Sequence, residues 1–395
     1  MVKKTALLIT YHNWKGKRQG GFHKFAEAFC RSGYDVGFLS FPRPWYGILK
    51  NTELHNAKVL WNLICGEQYK IDNSRLVNFT VPTFGIPGPI RKYVSNKMCM
   101  HFDLMSLPDI TTVCRYRFPN VDVMMYESTI GIMLYNELRK IYPQSMIIYR
   151  PSDPLVADHN NTNILLEEEK YLMKNADIVF LVDDYHRIIY NKSGIIFGNN
   201  MYILPNGIDV ESYSKKYYKR KENKIDDNVL YLGAQVPDWR LLIHLAKALP
   251  SCTIKIVCPE RPKRKTAMEL SLLKNIIYID GVMPDQVPEL VMSCNVFVVP
   301  YQNSDMRIRN LGLTAKLLQA IAARKPIVAK NVNPALKKYG IQICGSENEF
   351  IARVRDSMNC KEVSYSINID KYDWNKIQNE FIGTINKISN MRTYE

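Results

Sequence analysis

The stretch from residue 297 to residue 329 constrains the fold most, because it changes from a strand pattern to a helix pattern and back. Phe297–Val299 is a short run of β-branched and aromatic residues that ends at Pro300, and a polar loop follows. Apolar residues then recur at helical spacing: Leu313, Leu317, Leu318, Ile321 and Ala322. Ile327–Ala329 begins the next strand. This order predicts a βαβ unit whose helix N-terminus lies at the carboxyl edge of a strand, where ligands bind.

Short apolar strands alternate with amphipathic helices through most of the chain. The alternation is interrupted at residues 211–228, which are polar, basic and poor in apolar side chains. A chain of 395 residues is long enough for two domains of ordinary size. We therefore predict an α/β protein with two doubly wound domains that divide near residue 211.

The composition narrows the class of partner. Lysine and arginine outnumber aspartate and glutamate by 53 to 38, which gives a net charge of +15. This excess suits nucleic acid, an anionic membrane face or a phosphorylated substrate. The sequence contains no helix-turn-helix, zinc-finger or RNP-type signature, so we expect no nucleic acid partner. It also has no C-x-x-C or H-E-x-x-H motif and only scattered cysteines, which argues against a metal site and for reduced thiols.

The membrane relationship is predicted from apolar runs and aromatic residues. No apolar run approaches the roughly 18–20 residues of a membrane span, and the run after Met1 is too short for a signal peptide, so we expect a cytoplasmic protein. Residues 41–50 and 84–102 interleave aromatic and basic side chains. These segments form either ordinary surface or a face that binds anionic lipid.

Lys316 is placed against the helix dipole. It lies in the predicted first turn of its helix, where a cation is disfavoured and a bound anion would resolve the conflict. Gln319 follows three residues later and shares the same face. We favour a diphosphate bound by the helix start and Lys316, with Gln319 reaching a ribose hydroxyl. The alternative is that both are solvated polar positions on an amphipathic helix.

Several short segments together carry a family resemblance. In order along the chain they are residues 203–209, 231–234, 281–284, 299–301 and 316–329, with looser matches at residues 21–36 and 149–153. Taken together, they resemble the GT-B glycosyltransferases, and the segment with Lys316 and Gln319 is most similar to the xanthan-type, GumK-like glucuronosyltransferases.

The resemblance implies two Rossmann-like domains that face a cleft. The first, residues 1–210 completed by a C-terminal helix at 375–395, would bind the acceptor, and the second, residues 211–374, would bind a nucleotide sugar. It also implies catalysis without a bound metal or cofactor. Retaining relatives usually carry two glutamates in this region, whereas residues 299–329 contain none, and this favours inversion.

These inferences predict an inverting, metal-independent transferase that moves a sugar from a UDP-sugar to a lipid-linked oligosaccharide, for cell-surface glycan or exopolysaccharide synthesis at the inner membrane face. The resemblance makes glucuronate one candidate sugar, and its carboxylate would pair with Arg240, Arg307 or Arg309. A retaining family-4-like transferase, a GT-B-like sugar-nucleotide epimerase and a non-enzymatic protein that binds nucleic acid or another anion are the alternatives.

The predicted site residues divide between donor and acceptor. On the donor side we expect Gly233 near the phosphates, Met283 and Tyr301 near the base, Trp239 and Arg240 beside the sugar, and Arg307 or Arg309 with Lys316 at the diphosphate. Trp239 is equally consistent with a core position.

On the acceptor side we expect His23 and Arg150, with Asp153 as the general base because it follows the carboxyl end of a strand. His23 and Glu127 are alternative bases. Asp153 could instead cap the turn in which it lies.

Overall fold

The computed structural model describes residues 3–16, 19–50, 56–157, 162–214, 227–302 and 311–393. The chain separates into two compact units. The first comprises Met1–Pro205 and Ile377–Glu395, and the second comprises Asn206–Lys376. Both are α/β units with parallel sheets, which confirms the predicted fold class.

The first unit contains an eight-stranded sheet in the order β10-β9-β8-β7-β1-β2-β5-β4. Its strands are β1 Thr5–Thr10, β2 Asp35–Ser40, β4 Glu67–Ile71, β5 Ser74–Phe79, β7 Val123–Glu127, β8 Met146–Arg150, β9 Ile178–Leu181 and β10 Met201–Ile203. All pair in parallel except β4, which is antiparallel to β5. Strands β7, β8 and β9 are buried along their whole length, as expected for parallel strands covered on both faces.

Helices and one small strand pair complete the first unit. The helices are α1 Gly21–Arg31, α2 Ala57–Cys65, α3 Gly88–Arg91, α4 Asn96–Leu104, α5 Ile110–Arg117, α6 Tyr135–Ile141, α7 Asn163–Asn175 and α8 Asp184–Lys192, and β3 Arg43–Pro44 pairs with β6 Pro82–Thr83. The ring of Phe381, in the C-terminal helix, packs against Phe25, Phe29 and Phe180 with centroid distances of 4.6, 5.2 and 5.4 Å. These aromatic contacts explain why residues 377–393 belong to the first unit.

The second unit contains a six-stranded parallel sheet in the order β13-β12-β11-β14-β15-β16. Its strands are β11 Asn228–Leu232, β12 Thr253–Val257, β13 Ile276–Ile279, β14 Val296–Pro300, β15 Ile327–Lys330 and β16 Gln342–Cys344. Its helices are α9 Trp239–Ala248, α10 Arg264–Ser271, α11 Val287–Ser293, α12 Ala315–Ala322 and α13 Glu347–Ser357. The C-terminal helix, α14 Trp374–Thr393, begins in the second unit and continues in the first.

The order of these strands locates the ligand edge. The chain runs outward from β11 to β13, then returns to the other side of β11 with β14 and continues to β16. The strand order therefore reverses between β11 and β14. In open parallel sheets, ligands bind beyond the carboxyl ends of the strands at such a switch point. In the first unit the corresponding point lies between β1 and β7.

Within the described ranges, no helix is both long enough and apolar enough to cross a bilayer.

Candidate functional site

In the second unit, the switch point brings together three of the predicted donor residues. Gly233 directly follows β11, Tyr301 directly follows β14, and Lys316 is the second residue of α12. Because α12 starts after the loop that leaves β14, its N-terminus lies at the same edge of the sheet. The geometry at this edge is built around the ammonium group of Lys316.

Two tyrosines surround that ammonium. Lys316 Nζ donates a hydrogen bond to the hydroxyl of Tyr301. It also lies 4.8 Å from the ring centroid of Tyr301 and 5.5 Å from that of Tyr231. Cation–π attraction therefore replaces part of the hydration that the ammonium loses on burial. Tyr301, which the sequence predicted near the nucleobase, thus has its hydroxyl at the ammonium.

Gly233 leaves room for the ammonium. A Cβ atom at this position would lie 2.5 Å from Lys316 Nζ, closer than nonbonded atoms can approach. The glycine thus lets the ammonium approach the backbone closely. Its amide is fixed by a 3.1 Å hydrogen bond to the carbonyl of Val257. A side chain at position 233 would require the flexible end of Lys316 to shift.

Burial lowers the pKa of Lys316 to about 8, although the charge of Cys258 acts in the opposite direction. Among the residues that the structure describes, no carboxylate forms an ion pair with this lysine. A buried cation that lacks an anionic partner is unfavourable. The site is therefore suited to a negatively charged ligand.

The N-terminus of α12 adds a second reason for anion binding. Thr314 is the N-cap residue, but its side chain makes no capping hydrogen bond. Its Oγ1 atom is buried and has no hydrogen-bond partner in the described part of the chain. A helix N-terminus presents free N–H groups and positive dipole charge, which bind phosphate. The hydroxyl of Thr314 is a further donor at the same place, and the sequence analysis did not single it out.

The remaining donor predictions fall into three groups. Gln319 is half-buried on α12, one turn beyond Lys316, while Arg240 on α9 and Met283 after β13 are exposed. Trp239 is only 8% exposed and packs edge-to-face on Tyr278 in the hydrophobic core. It therefore occupies the core position that the sequence analysis gave as the alternative to a place beside the sugar. Arg307 and Arg309 lie outside the described residues.

In the first unit, the candidate base Asp153 is exposed just beyond the carboxyl end of β8. Its amide donates a 3.3 Å hydrogen bond to Oγ of Ser128. The preceding residue, Ser152, contacts Glu127 Oε1 at 3.4 Å. Glu127 and Ser128 follow β7, so these contacts continue the pairing of β7 with β8 beyond the sheet. The arrangement holds Asp153 at the ligand edge.

Glu127, an alternative base in the sequence analysis, is buried and already engaged. It accepts hydrogen bonds from the Thr10 hydroxyl and from the Tyr11 amide, the latter at 3.3 Å. Its Oε1 atom lies 3.5 Å from Nε2 of His12. Burial raises the pKa of Glu127, but His12 and the hydrogen bonds outweigh burial and leave the pKa below its ordinary value. Glu127 is therefore an ionised partner of His12. The sequence analysis did not identify His12 as a site residue.

His23 is buried at the start of α1 and fixes the loop after β1. Its Nδ1 atom accepts a 3.2 Å hydrogen bond from the Gly20 amide, and its Nε2 atom lies 3.0 Å from the Asn13 carbonyl. Burial and the charge of His12 lower its pKa to about 4. The ring is therefore neutral at neutral pH and holds two backbone segments together, which leaves no nitrogen for a substrate.

Arg150, predicted on the acceptor side, is the last residue of β8 and is fully buried. Its guanidinium lies 5.6 Å from the ring centroid of Phe25. Burial lowers its pKa to about 10, while Glu127, Asp183 and Asp153 act in the opposite direction. Arg150 is therefore charged at neutral pH and supplies positive potential beneath Asp153.

Comparison with known proteins identifies the family. Residues 8–182 match the model of the glucuronosyltransferase GumK N-terminal domain, and residues 223–359 match the glycosyl transferases group 1 model. The two matches follow one another along the chain and cover the two candidate sites. The chain is a GumK-like GT-B glycosyltransferase.

A curated relative of this glycosyltransferase is the putative teichuronic acid biosynthesis glycosyltransferase TuaH of Bacillus subtilis. The two are 24% identical over 211 residues, which is 49% of this chain and 53% of the relative. The match therefore spans about half the length of TuaH.

Solved structures show the same fold. The glycosyltransferase superimposes on sucrose-phosphate synthase from Thermosynechococcus elongatus with a TM-score of 0.65 and 12% identity, over 100% of this chain and 99% of the other. It superimposes on Anabaena Alr3699/HepE in complex with UDP with a TM-score of 0.61 and 13% identity, over 97% and 100% of the two chains. At these identities, the likeness concerns the fold alone.

The state of His23 predicts how the stability of the glycosyltransferase depends on pH. Its pKa is about 4 in the folded chain and 6.5 ordinarily, so unfolding binds a proton between these values. The free energy of unfolding should therefore fall as the pH is lowered from 6.5 to 4, by about 3 kcal/mol from this residue. Chemical denaturation of the wild type and of His23→Gln, which keeps a donor and an acceptor, measures the difference. Parallel pH dependences of the two proteins would show that His23 does not make this contribution.

Proposed function

We propose that this glycosyltransferase moves a sugar from a UDP-sugar to a hydroxyl of a lipid-linked oligosaccharide, with inversion at the anomeric carbon and without a bound metal. It would act in the synthesis of a cell-surface glycan or exopolysaccharide, at the inner face of the cell membrane. The observation that carries the proposal is the partly buried Lys316 at the switch point of the second unit, between two tyrosines and at a helix start.

The donor follows from the charge at this site. A nucleoside diphosphate brings two or more negative charges, and the ammonium of Lys316 and the N-terminus of α12 would bind them. Anabaena Alr3699/HepE, which is similar in fold, has been solved in complex with UDP and with UDP-glucose. In the reaction, the same groups would stabilise the UDP that leaves, as a metal ion does in other transferases.

The neighbouring residues take roles that follow from their places. Gln319, on the face of Lys316 one turn further along α12, would reach a ribose hydroxyl. Met283, after β13, would lie beside the nucleobase, since β13 is two strands away from the phosphate site. If the donor sugar is glucuronate, Arg240, Arg307 or Arg309 would pair with its carboxylate.

An inverting transfer needs one general base. We assign this role to Asp153, which is exposed at the carboxyl end of β8. The carboxylate would take the proton of the acceptor hydroxyl while the hydroxyl oxygen bonds to the anomeric carbon. The bond between that carbon and the UDP oxygen breaks in the same step, so the electron pair leaves with UDP. The absence of glutamate from residues 299–329 supports inversion over retention.

The lipid-linked acceptor is proposed from an apolar and basic surface of the first unit, formed by residues 45–50 and 84–107. Large apolar side chains are exposed on both segments, including Trp45, Ile48, Leu49, Phe84, Ile90, Tyr93, Met98, Met105 and Leu107. Lys50, Lys92 and Lys97 are exposed beside them. The buried carboxylate of Asp103 is paired with Arg91 at 2.7 Å.

This apolar and basic surface extends from the ligand edge. Its two segments follow β2 and β5, which are parallel to β8, so they leave the sheet at the same edge as Asp153. Exposed apolar side chains with interspersed lysines are suited to an anionic lipid interface. A protein that binds the membrane through this surface would bring the acceptor half of its site next to lipid-linked substrates.

The role of Lys316 is tested by binding. Lys316→Ala should weaken the affinity for UDP by at least tenfold, because a hydrogen bond to a charged group contributes about 1.5–3 kcal/mol. Isothermal titration calorimetry measures the affinity, and Lys247→Ala, an exposed lysine of α9, is the matched control. Equal affinities in both variants would remove Lys316 from the donor site, and no UDP binding by the wild type would refute the proposed donor.

The role of Asp153 is tested by separating binding from transfer. Asp153→Asn should bind UDP as the wild type does but lose transfer by about 100- to 10,000-fold, the usual contribution of a general base. The exposed Asp356→Asn variant is the control. UDP release gives the rate, and NMR of the product gives the anomeric configuration. Undiminished transfer would assign the base to another residue, a retained configuration would overturn inversion, and an isomerised UDP-sugar formed without acceptor would indicate an epimerase.

Membrane association is tested by replacing exposed apolar side chains with glutamate. The double variant Leu49→Glu, Tyr93→Glu should lose cosedimentation with vesicles that contain phosphatidylglycerol, since both side chains are about 80% exposed on the apolar and basic surface. Ile196→Glu changes an equally exposed apolar residue that precedes β10, at the opposite edge of the sheet, and should bind as the wild type does. Identical binding of all three proteins would rule out this surface as the membrane contact.

A further inference from the structure

The loop after β1 carries His12, and buried polar groups fix the backbone of this residue. The His12 amide donates to Thr10 Oγ1 at 3.2 Å, and the His12 carbonyl accepts from Ser40 Oγ at 2.6 Å. Thr10 and Ser40 are the last residues of β1 and β2 and are fully buried. Both backbone hydrogen-bonding groups of His12 are therefore anchored to the ends of the two strands.

The residues on either side of His12 are fixed as well. The guanidinium of Arg43 donates to the Tyr11 carbonyl and, at 2.6 Å, to Oδ1 of Asn13. Arg43 is only 1% exposed. Burying the guanidinium of Arg43 only to hold a surface loop is costly. Such a cost is typical of loops whose side chain must be held in one position for function.

The imidazole of His12 is oriented by a carboxylate. Its Nε2 atom lies 3.5 Å from Glu127 Oε1, and Glu127 also holds the Tyr11 amide. A carboxylate beside Nε2 favours the tautomer with the proton on Nε2, which leaves a lone pair on Nδ1. The His12 side chain is 24% exposed, so the ring reaches the surface. In the described ranges, no hydrogen bond to Nδ1 is formed.

Glu127 also links His12 to the segment of the proposed base. Its Oε1 atom contacts Ser152, the residue before Asp153, at 3.4 Å. His12 follows β1 and Asp153 follows β8, with β7 between these strands. Adjacent strands lie about 4.8 Å apart, which separates the two positions by about 10 Å along the sheet edge. A sugar unit can lie over Glu127 and Ser128 and contact both side chains.

We propose that His12 is an acceptor-binding residue. Nδ1 of its ring accepts a hydrogen bond from a hydroxyl of the acceptor sugar, next to the hydroxyl that Asp153 deprotonates. Glu127 is the positioning residue that sets the tautomer and the ring orientation. This inference rests on the proposed function, because it names the contact by which the acceptor half of the site recognises a polyhydroxyl substrate.

The experiment compares two substitutions of His12. In His12→Asn the amide oxygen can occupy the place of Nδ1 and accept the same hydrogen bond, whereas His12→Ala offers no acceptor. Asparagine does not take up a proton, so the pair of variants separates binding from base catalysis. His244→Asn, a half-buried histidine of α9 in the second unit that also lies beside a carboxylate, Glu347, is the matched control. Glu127→Gln tests the positioning role, because a neutral amide no longer fixes the tautomer.

The assay measures UDP release from the UDP-sugar that the wild type uses, with a panel of farnesyl-diphosphate-linked mono- and disaccharides as acceptors. His12→Ala should raise KM for the acceptor about tenfold, which corresponds to about 1.4 kcal/mol for a lost hydrogen bond that leaves its partner unsatisfied. Glu127→Gln should raise it in the same direction, and His12→Asn should stay within about threefold of the wild type. UDP affinity should be unchanged in all variants, because the substituted residues lie outside the site around Lys316.

Two results would overturn the inference while leaving the proposed function intact. An unchanged acceptor KM in His12→Ala would show that the ring does not contact the acceptor. A loss of kcat in His12→Asn at unchanged acceptor KM would show that His12 is itself the base. A wild type that neither binds UDP nor releases it with any member of the panel would instead refute the proposed function, and the inference would fail with it.

Discussion

The donor half of this protein depends on a partly buried ammonium ion with no carboxylate beside it in the described part of the chain. Lys316 is stabilised by the hydroxyl of Tyr301 and by two aromatic faces, and these are weaker partners than an anion. The glycine after β11 gives the ammonium its space, because a Cβ atom there would lie 2.5 Å from Nζ and make the end of Lys316 shift. The local structure is therefore explained by the anion that it can bind.

Both units place their polar groups according to the same topological rule. In each sheet the strand order reverses beside the first strand, and the residues after the strands on either side of that point meet. In the second unit these residues form a cationic site around Lys316. In the first unit they form a network of Glu127, His12 and Ser152 beside Asp153. The same rule thus places a cationic cluster in one unit and a carboxylate-rich cluster in the other.

Part of the fold was predictable from local pattern, and part was not. The strands and helices around Lys316 follow from hydrophobic periodicity, and their predicted positions agree with the structure within a few residues. Strand β4, Glu67–Ile71, was not predicted, because its side chains alternate between exposed and half-buried and only Tyr69 and Ile71 are apolar. The segment after β7 divides into a 3₁₀ turn, Ile130–Leu134, and helix α6. Periodicity alone does not distinguish these two geometries.

The sequence by itself determined the order of the elements, because periodicity is a short-range property. It also determined the edge at which ligands are expected, because parallel strands align their carboxyl ends. It also determined that Lys316 opposes a helix dipole. Only the tertiary structure decided that Lys316 contacts Gly233 and Tyr231, that Trp239 belongs to the core, and that His12 is oriented by Glu127. These contacts join residues far apart in sequence, and their energies depend on burial and on distances that only the folded chain fixes.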